Sequence, residues 1–113
     1  HVYLQAKLLL FPSKREAYGK VAAEAMTYGI PAIVSDLPGL HEACGIGAIY
    51  VNPHDYTTWV EQTRQTLVPE VLTFRSDIAY DRGQFLYERS LTDMQRFHDE
   101  LVVLIEQRAA ASV

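Results

Sequence analysis

The sequence predicts an α/β fold: a short parallel sheet of about three strands, flanked by helices in three layers. Three observations carry this reading. Wholly apolar runs at residues 8–11, 32–34 and 48–51 have no polar face, as expected of strands covered on both sides. Stretches with apolar residues at three- and four-residue spacing separate and follow them. Glycine, proline, asparagine and aspartate fall between these segments, where turns are needed.

Residues 1–7 read as a turn or two of helix feeding the first strand, Leu8 to Phe11, which Pro12 and Ser13 close. A polar loop follows, with Lys14, Arg15 and Glu16. The next helix covers about residues 19–28, with Val21, Ala22, Ala25 and Met26 on its apolar face. Gly29 supplies a positive φ at its end and Pro31 prevents continuation. Ala32, Ile33 and Val34 form the second strand, ending in Ser35 and Asp36. Strand, loop, helix and strand make a βαβ unit with a right-handed crossover.

Leu37-Pro38-Gly39 is a turn by composition, and residues 40–44 make one helical turn containing His41 and Glu42. Gly45 and Gly47 punctuate it before the third strand, residues 48–51. Asp55 is suited to cap a helix running to about Leu67, with Trp59, Val60, Thr63 and Leu67 facing inward. Pro69 opens another helix, in which Val71, Phe74, Ile78 and Arg82 recur and which Gly83 ends. Ser90 and Asp93 form a capping box for a last helix. Its stripe of Met94, Phe97, Leu101, Leu104 and Ile105 is expected in the core or against another domain, and residues 109–113 are expected to fray.

The chemistry concentrates on the loop after the first strand. There a strand's carboxyl end meets a helix's amino end, the place where open α/β sheets bind ligands. The amides of Tyr18, Gly19 and Lys20 would open the helix and converge on one spot, backed by about half a positive charge, which suits a phosphate. Gly19 admits a ligand close to the backbone. Glu16 and Glu24 bracket this anion site. Acids beside an anion must face something else, and hydroxyls that donate hydrogen bonds to them are the natural partners. Phosphate-binding amides between hydroxyl-binding acids describe a nucleotide-sugar pocket.

Pro12-Ser13, Glu16, Tyr18-Gly19, Glu24-Ala25-Met26, Gly29-Ile30-Pro31 and Ser35-Asp36 resemble the Glu, seven residues, Glu signature of the retaining group 1 glycosyl transferases of GT-B architecture. The likeness continues through Pro38-Gly39-Leu40, Glu42, Cys44-Gly45, Ala48 and Asn52-Pro53-His54-Asp55. The resemblance implies that residues 1–113 are the carboxyl-terminal part of a Rossmann-like nucleotide-sugar-binding domain. The amino-terminal acceptor domain and the first half of this domain would then be absent. It further implies that Glu16 contacts the transferred sugar and is catalytic, that Glu24 accepts the ribose hydroxyls, and that Tyr18, Gly19 and Lys20 hold the diphosphate. Two positions depart from the family pattern. Ala17 stands where glycine is usual, and Lys20 stands where an aliphatic side chain is commoner, either adding a cation for the phosphates or pointing to solvent. The basic residues with which the family grips the diphosphate lie upstream, so the chain alone is expected to be inactive.

Ser35, Asp36, Gly39, Leu40 and Glu42 lie on the same side of the expected sheet and are candidate donor contacts, with a plain turn role as the alternative. Lys14 and Arg15 read more simply as a solvated loop. His41 and His54 have no companion at metal-ligand spacing, so no metal is expected. No cofactor is expected beyond the nucleoside diphosphate sugar itself, which is a substrate. Cys44 reads as a small buried residue, and Trp59 and the tyrosines other than Tyr18 as packing.

With 113 residues, 49% hydrophobic and 21% charged, the chain is one soluble domain at most. A net charge of -4 without a basic stripe argues against nucleic acid as a partner. No run approaches the ~20 apolar residues that cross a bilayer. One cysteine suits a reducing cytoplasm, with peripheral attachment at the inner membrane face open to the full-length protein. The expected partners are a nucleotide sugar and a missing amino-terminal domain, whether lost by excision or carried on another chain. An unpaired first strand would also favour self-association of the fragment. The expected activity is transfer of a hexose to an acceptor hydroxyl with retention. A non-catalytic nucleotide-sugar-binding or assembly module is the stronger rival; a glycoside hydrolase also uses two acids but needs no phosphate amides.

Overall fold

The computed structural model describes residues 7–14 and 19–111. In chain order the elements are β1 (Leu9–Phe11), α1 (Lys20–Thr27), β2 (Ala32–Ser35), α2 (Pro38–Cys44), a 3-10 turn (Gly45–Gly47), β3 (Ala48–Val51), α3 (Tyr56–Thr66) and α4 (Pro69–Ala111). All strand pairs are parallel, in the order β1-β2-β3, with Leu9 beside Ala32 and Ala32 beside Ala48. The chain therefore adopts the three-stranded α/β arrangement that its apolar runs imply.

Alternation along the strands sends side chains into two cores. Ala32, Val34 and Ala48 face α1, α2 and the first half of α4, packing with Ala22, Met26, Leu40, Cys44 and Ala79. Ile33 and Val51 face the other way, onto Trp59 of α3. The α1 and α2 crossovers share one face, as a sheet growing in one direction with one hand of crossover requires. Leu10 lies on the α3 side of the edge strand and is 47% exposed, so β1 is covered on one face rather than two.

Local chemistry sets the helix ends. The α1 helix closes at Gly29, φ 72°, where Ile30 N–H donates to the Ala25 carbonyl at 3.1 Å and Gly29 N–H to the Met26 carbonyl at 2.9 Å. That pair of bonds is a Schellman motif. Ala22, Ala25 and Met26 form the buried face, whereas Val21, one residue off it, is exposed. Asp55 caps α3, accepting from Thr58 N–H at 3.1 Å and from the Thr58 hydroxyl at 2.6 Å. Those two bonds, the hydroxyl first, hold the Asp55 carboxyl below its ordinary value. Along α3, Trp59 and Thr66 are buried while Val60 and Leu67 are exposed, because only the Trp59 side of the helix meets the sheet.

The long helix departs most from expectation. Gly83 does not end it, and Ser90 and Asp93 cap nothing: α4 runs unbroken for 43 residues. Its stripe from Met94 to Ile105 is exposed, so it is no part of this core, which leaves the alternative of a face for another domain, and the helix continues through Ala111. Gly83 serves packing instead. A Cβ there would stand 2.4 Å from the Met26 carbonyl oxygen, so α4 crosses α1 backbone to backbone. Further along the crossing, the Ser76 hydroxyl donates to the Gly29 carbonyl at 2.5 Å, and Gly47 leaves room for Met26 and Arg82. Beyond residue 86 the helix leaves the body as an arm, which stretches the molecule to 67 Å.

Two glycines are thus irreplaceable by side chain. Gly83→Ala gains about 1 kcal/mol of helix propensity but overpacks the crossing by about 1–3 kcal/mol. The expected result in the complete protein is a lower denaturant midpoint; a raised midpoint would show that the helices do not meet there. Gly19, which precedes α1 at φ 61°, would place a Cβ 2.8 Å from Leu40 Cδ2. Gly19→Ala is expected to destabilise by about 1–2 kcal/mol through left-handed strain alone, read as a fall in melting temperature; an unchanged melting temperature would contradict the turn geometry.

Candidate functional site

Because the strands are parallel, their carboxyl ends at Phe11, Ser35 and Val51 share one rim, and α1 and α2 both start from it. The left-handed Gly19 turns the chain into α1. The first bond within the helix joins Ala23 N–H to the Gly19 carbonyl at 3.0 Å, so the amides of Lys20, Val21 and Ala22 have no acceptor inside the helix. Gly19, at the N-cap, has no side chain with which to cap this end, and no acid occupies the first turn of α1. The partial positive charge of the helix start therefore faces the rim. Gly19 itself is packed against Leu40 and Ala43, which sets the start of α1 against the body of α2.

Lys20 and Glu24, four residues apart, lie on one exposed face of α1. Glu16 and Tyr18 lie outside the described residues, so the loop they belong to carries no geometry here. Ser35 is fully buried and its hydroxyl donates to the Phe11 carbonyl at 3.4 Å, which ties β2 to β1 just below the rim. Leu40 is likewise a core residue, and its N–H donates to the Leu37 carbonyl at 3.0 Å. Neither offers a free group to a ligand. Gly39 and Glu42 line a groove that α2 forms with α4.

Asp36 has a partner that its spacing alone did not suggest. Its carboxylate meets His41 Nε2 at 2.5 Å, and the imidazole stacks on Tyr50 with ring centroids 3.7 Å apart. The Tyr50 hydroxyl donates to the Gly45 carbonyl at 2.5 Å, so the chain from Asp36 to Gly45 clamps α2 to the ends of β2 and β3. Burial, with Cys44 second, pushes the Tyr50 hydroxyl up to about 12. Burial also pushes the Cys44 thiol up to about 11 against the opposing pull of Arg82, which leaves it an inert core residue at neutral pH. The signal for the His41 pair was present: an acid ending a strand and a histidine one turn into the next helix.

Arg82 is the second residue that sequence reasoning passed over. Its guanidinium donates to the Glu42 carbonyl at 3.0 Å and the Ala43 carbonyl at 3.3 Å, closing the carboxyl end of α2. The long helix thereby holds α2, and with it the groove beside Gly19. Among the described residues no group of three histidine, cysteine or acidic side chains is placed to hold a metal ion.

The family model "Glycosyl transferases group 1" matches residues 1–76. The chain is 45% identical over 58 residues to the O-antigen chain mannosyltransferase RfbU of Salmonella typhimurium, covering 51% of this chain and 16% of that protein. It is 32% identical over 96 residues to the D-inositol 3-phosphate glycosyltransferase of Saccharomonospora viridis, covering 82% of this chain and 22% of that one. Among solved structures, sucrose-phosphate synthase (tll1590) from Thermosynechococcus elongatus superposes with a TM-score of 0.76 at 26% identity, covering 90% of this chain and 27% of that chain. The chain thus spans about a sixth to a quarter of these proteins' lengths. With the family model matched over two-thirds of its residues and a GT-B glycosyltransferase as its structural neighbour, this chain belongs to the group 1 glycosyl transferases.

Proposed function

We propose that the complete protein moves a hexose from a nucleoside diphosphate sugar to an acceptor hydroxyl with retention of configuration. The observation that carries this reading is the start of α1 on a left-handed glycine at the carboxyl rim, in a chain of glycosyltransferase family. The diphosphate lies against the amides around Tyr18, Gly19 and Lys20, where the helix start stabilises the charge that develops as it departs. Glu16 orients the sugar while the anomeric carbon gains positive charge, and Glu24 accepts the ribose hydroxyls. The bond from the anomeric carbon to the phosphate oxygen breaks, the acceptor oxygen bonds to the same carbon, and the acceptor proton ends on the diphosphate. A mannosyl donor is the first to test, given the likeness to a mannosyltransferase.

Of the candidate donor contacts, Asp36, Gly39 and Glu42 stay near the rim, while the buried Ser35 and Leu40 support its walls. No helix among the described residues is long and apolar enough to cross a membrane. A cytoplasmic setting is part of the proposal, resting on the single buried cysteine. A non-catalytic nucleotide-sugar-binding module is the second reading, since the start of α1 and the exposed Glu24 would hold a donor with or without transfer.

In the complete enzyme, Glu24→Ala is expected to raise donor KM by about 10-fold or more, the loss of a hydrogen bond to a charged group. Glu16→Ala is expected to lower kcat by about 10²-fold, the scale for losing one transition-state electrostatic contact. Steady-state kinetics separate the two roles. Unchanged constants in both variants would remove the assignment, and donor binding without transfer by the unaltered protein would favour the module.

A further inference from the structure

The seven residues of α2 cannot hold a position by themselves. A helix of two turns is unstable in water, and Leu37, at the N-cap, offers no polar side chain to close the first turn. The place of α2 is therefore set by tethers from other elements. Arg82 of α4 holds its carboxyl end. His41 holds its middle: the imidazole meets the Asp36 carboxylate and stacks on Tyr50, with the two rings 8° from parallel. The Tyr50 hydroxyl donates to the Gly45 carbonyl at 2.5 Å and stands 3.4 Å from the Leu40 carbonyl. Asp36 is itself fixed to the sheet, its N–H donating to the Val51 carbonyl at 2.9 Å.

This bracket bears on the start of α1. Leu40 and Ala43, on which Gly19 packs, stand one residue before and two residues after His41. Leu40 is the closer, its Cδ2 lying 2.8 Å from where a Gly19 Cβ would stand. A small shift of α2 therefore moves the support of the left-handed turn that aims the first amides of α1. The bracket also accounts for an acid at a rim that receives an anion. An unpaired carboxylate there would repel a diphosphate, and the imidazole offsets that repulsion.

We propose that Asp36 and His41 are positioning residues for the donor site: as one unit they hold α2 against Gly19, and thereby set the affinity for the donor's diphosphate without touching it. The affinity clause rests on the donor reading proposed for the complete protein; the bracing of Gly19 does not. Rival roles for Asp36 predict different outcomes. A carboxylate that merely stood near the diphosphate would weaken binding, so Asp36→Ala would tighten it. A carboxylate that accepted a donor hydroxyl would lose affinity in Asp36→Ala but not in His41→Phe. A bracing pair loses affinity in both, and the double variant loses no more than either single one.

Calorimetric titration of the complete protein with UDP, GDP and ADP as probes tests this. The expected result is that Asp36→Ala and His41→Phe each weaken the bound probe about fivefold, the scale of an exposed charge pair. The double variant is expected to match the single ones, and His41→Gln, whose amide still donates to Asp36, to bind more tightly than His41→Phe. Tighter binding in Asp36→Ala, unchanged binding in His41→Phe, or losses that multiply in the double variant overturns the proposal. Hydrogen exchange without probe is read in parallel. Faster exchange is expected in both single variants at His41 or its replacement and at Ala23, whose N–H donates to the Gly19 carbonyl. Unchanged exchange within β2 and β3 reports that the variants fold. If no probe binds the unaltered protein, the donor reading fails and exchange alone decides the bracket: faster exchange at Ala23 supports it, and equal exchange overturns it.

Discussion

The contact on which the remaining architecture depends is the backbone crossing of α4 over α1 at Gly83 and Met26. A helix that packs through side chains keeps its neighbour at 8–10 Å. Here the missing Cβ allows closer approach, and the hydrogen bond from Ser76 to the Gly29 carbonyl fixes the register of that approach. Once α4 is seated, Arg82 reaches the carbonyl end of α2. The helix thus grips α1 near its carboxyl end and α2 near its own. The amino end of α1 is left at the rim, where Gly19 packs on Leu40 and Ala43 of α2. The candidate site is therefore held in place by the long helix, which touches α1 away from the rim and α2 at the residue that Gly19 packs on.

The rim chemistry follows from the same economy of backbone. A left-handed Gly19 lets the strand turn at once into a helix whose first amides have no internal acceptor. Ser35 and the Asp36–His41–Tyr50 chain then hold the strand ends and α2 in place. Polar residues near the rim accordingly divide by burial. The buried Ser35 braces the wall from within and the exposed Asp36–His41 pair from its surface, while Lys20, Glu24 and Glu42 stand exposed.

Much of this was legible in the sequence, for a physical reason. The three strands are short apolar runs between strong breakers, and Gly29, Asp55 and Pro69 occupy the end positions that local backbone geometry assigns to those residue types. The long helix was not legible, because Gly83 carries two meanings. A glycine after an apolar helical stretch reads as a terminus, yet here it marks a crossing with a helix 57 residues earlier in the chain, which spacing cannot reveal. Ser90 and Asp93 then looked like a cap only because a terminus had been placed before them. Exposure of Val21, Val60 and Leu67 has a related cause: an apolar residue beside the buried stripe is indistinguishable by type from one within it. At the site, the start of α1 at Gly19 was legible from the strand-loop-helix pattern, with Lys20 and Glu24 on its exposed face. The His41 and Arg82 contacts were missed, since each joins residues on different elements.

The central claim is that the opening of α1 at the carboxyl rim receives an activated sugar's diphosphate. A crystal structure of the complete protein with a bound nucleoside diphosphate sugar measures this most directly. The account predicts phosphate oxygens within hydrogen-bond distance of the amides at the start of α1, with the ribose hydroxyls on the Glu24 carboxylate. A diphosphate bound at the amino ends of the strands, with Glu24 turned to bulk solvent, would contradict it.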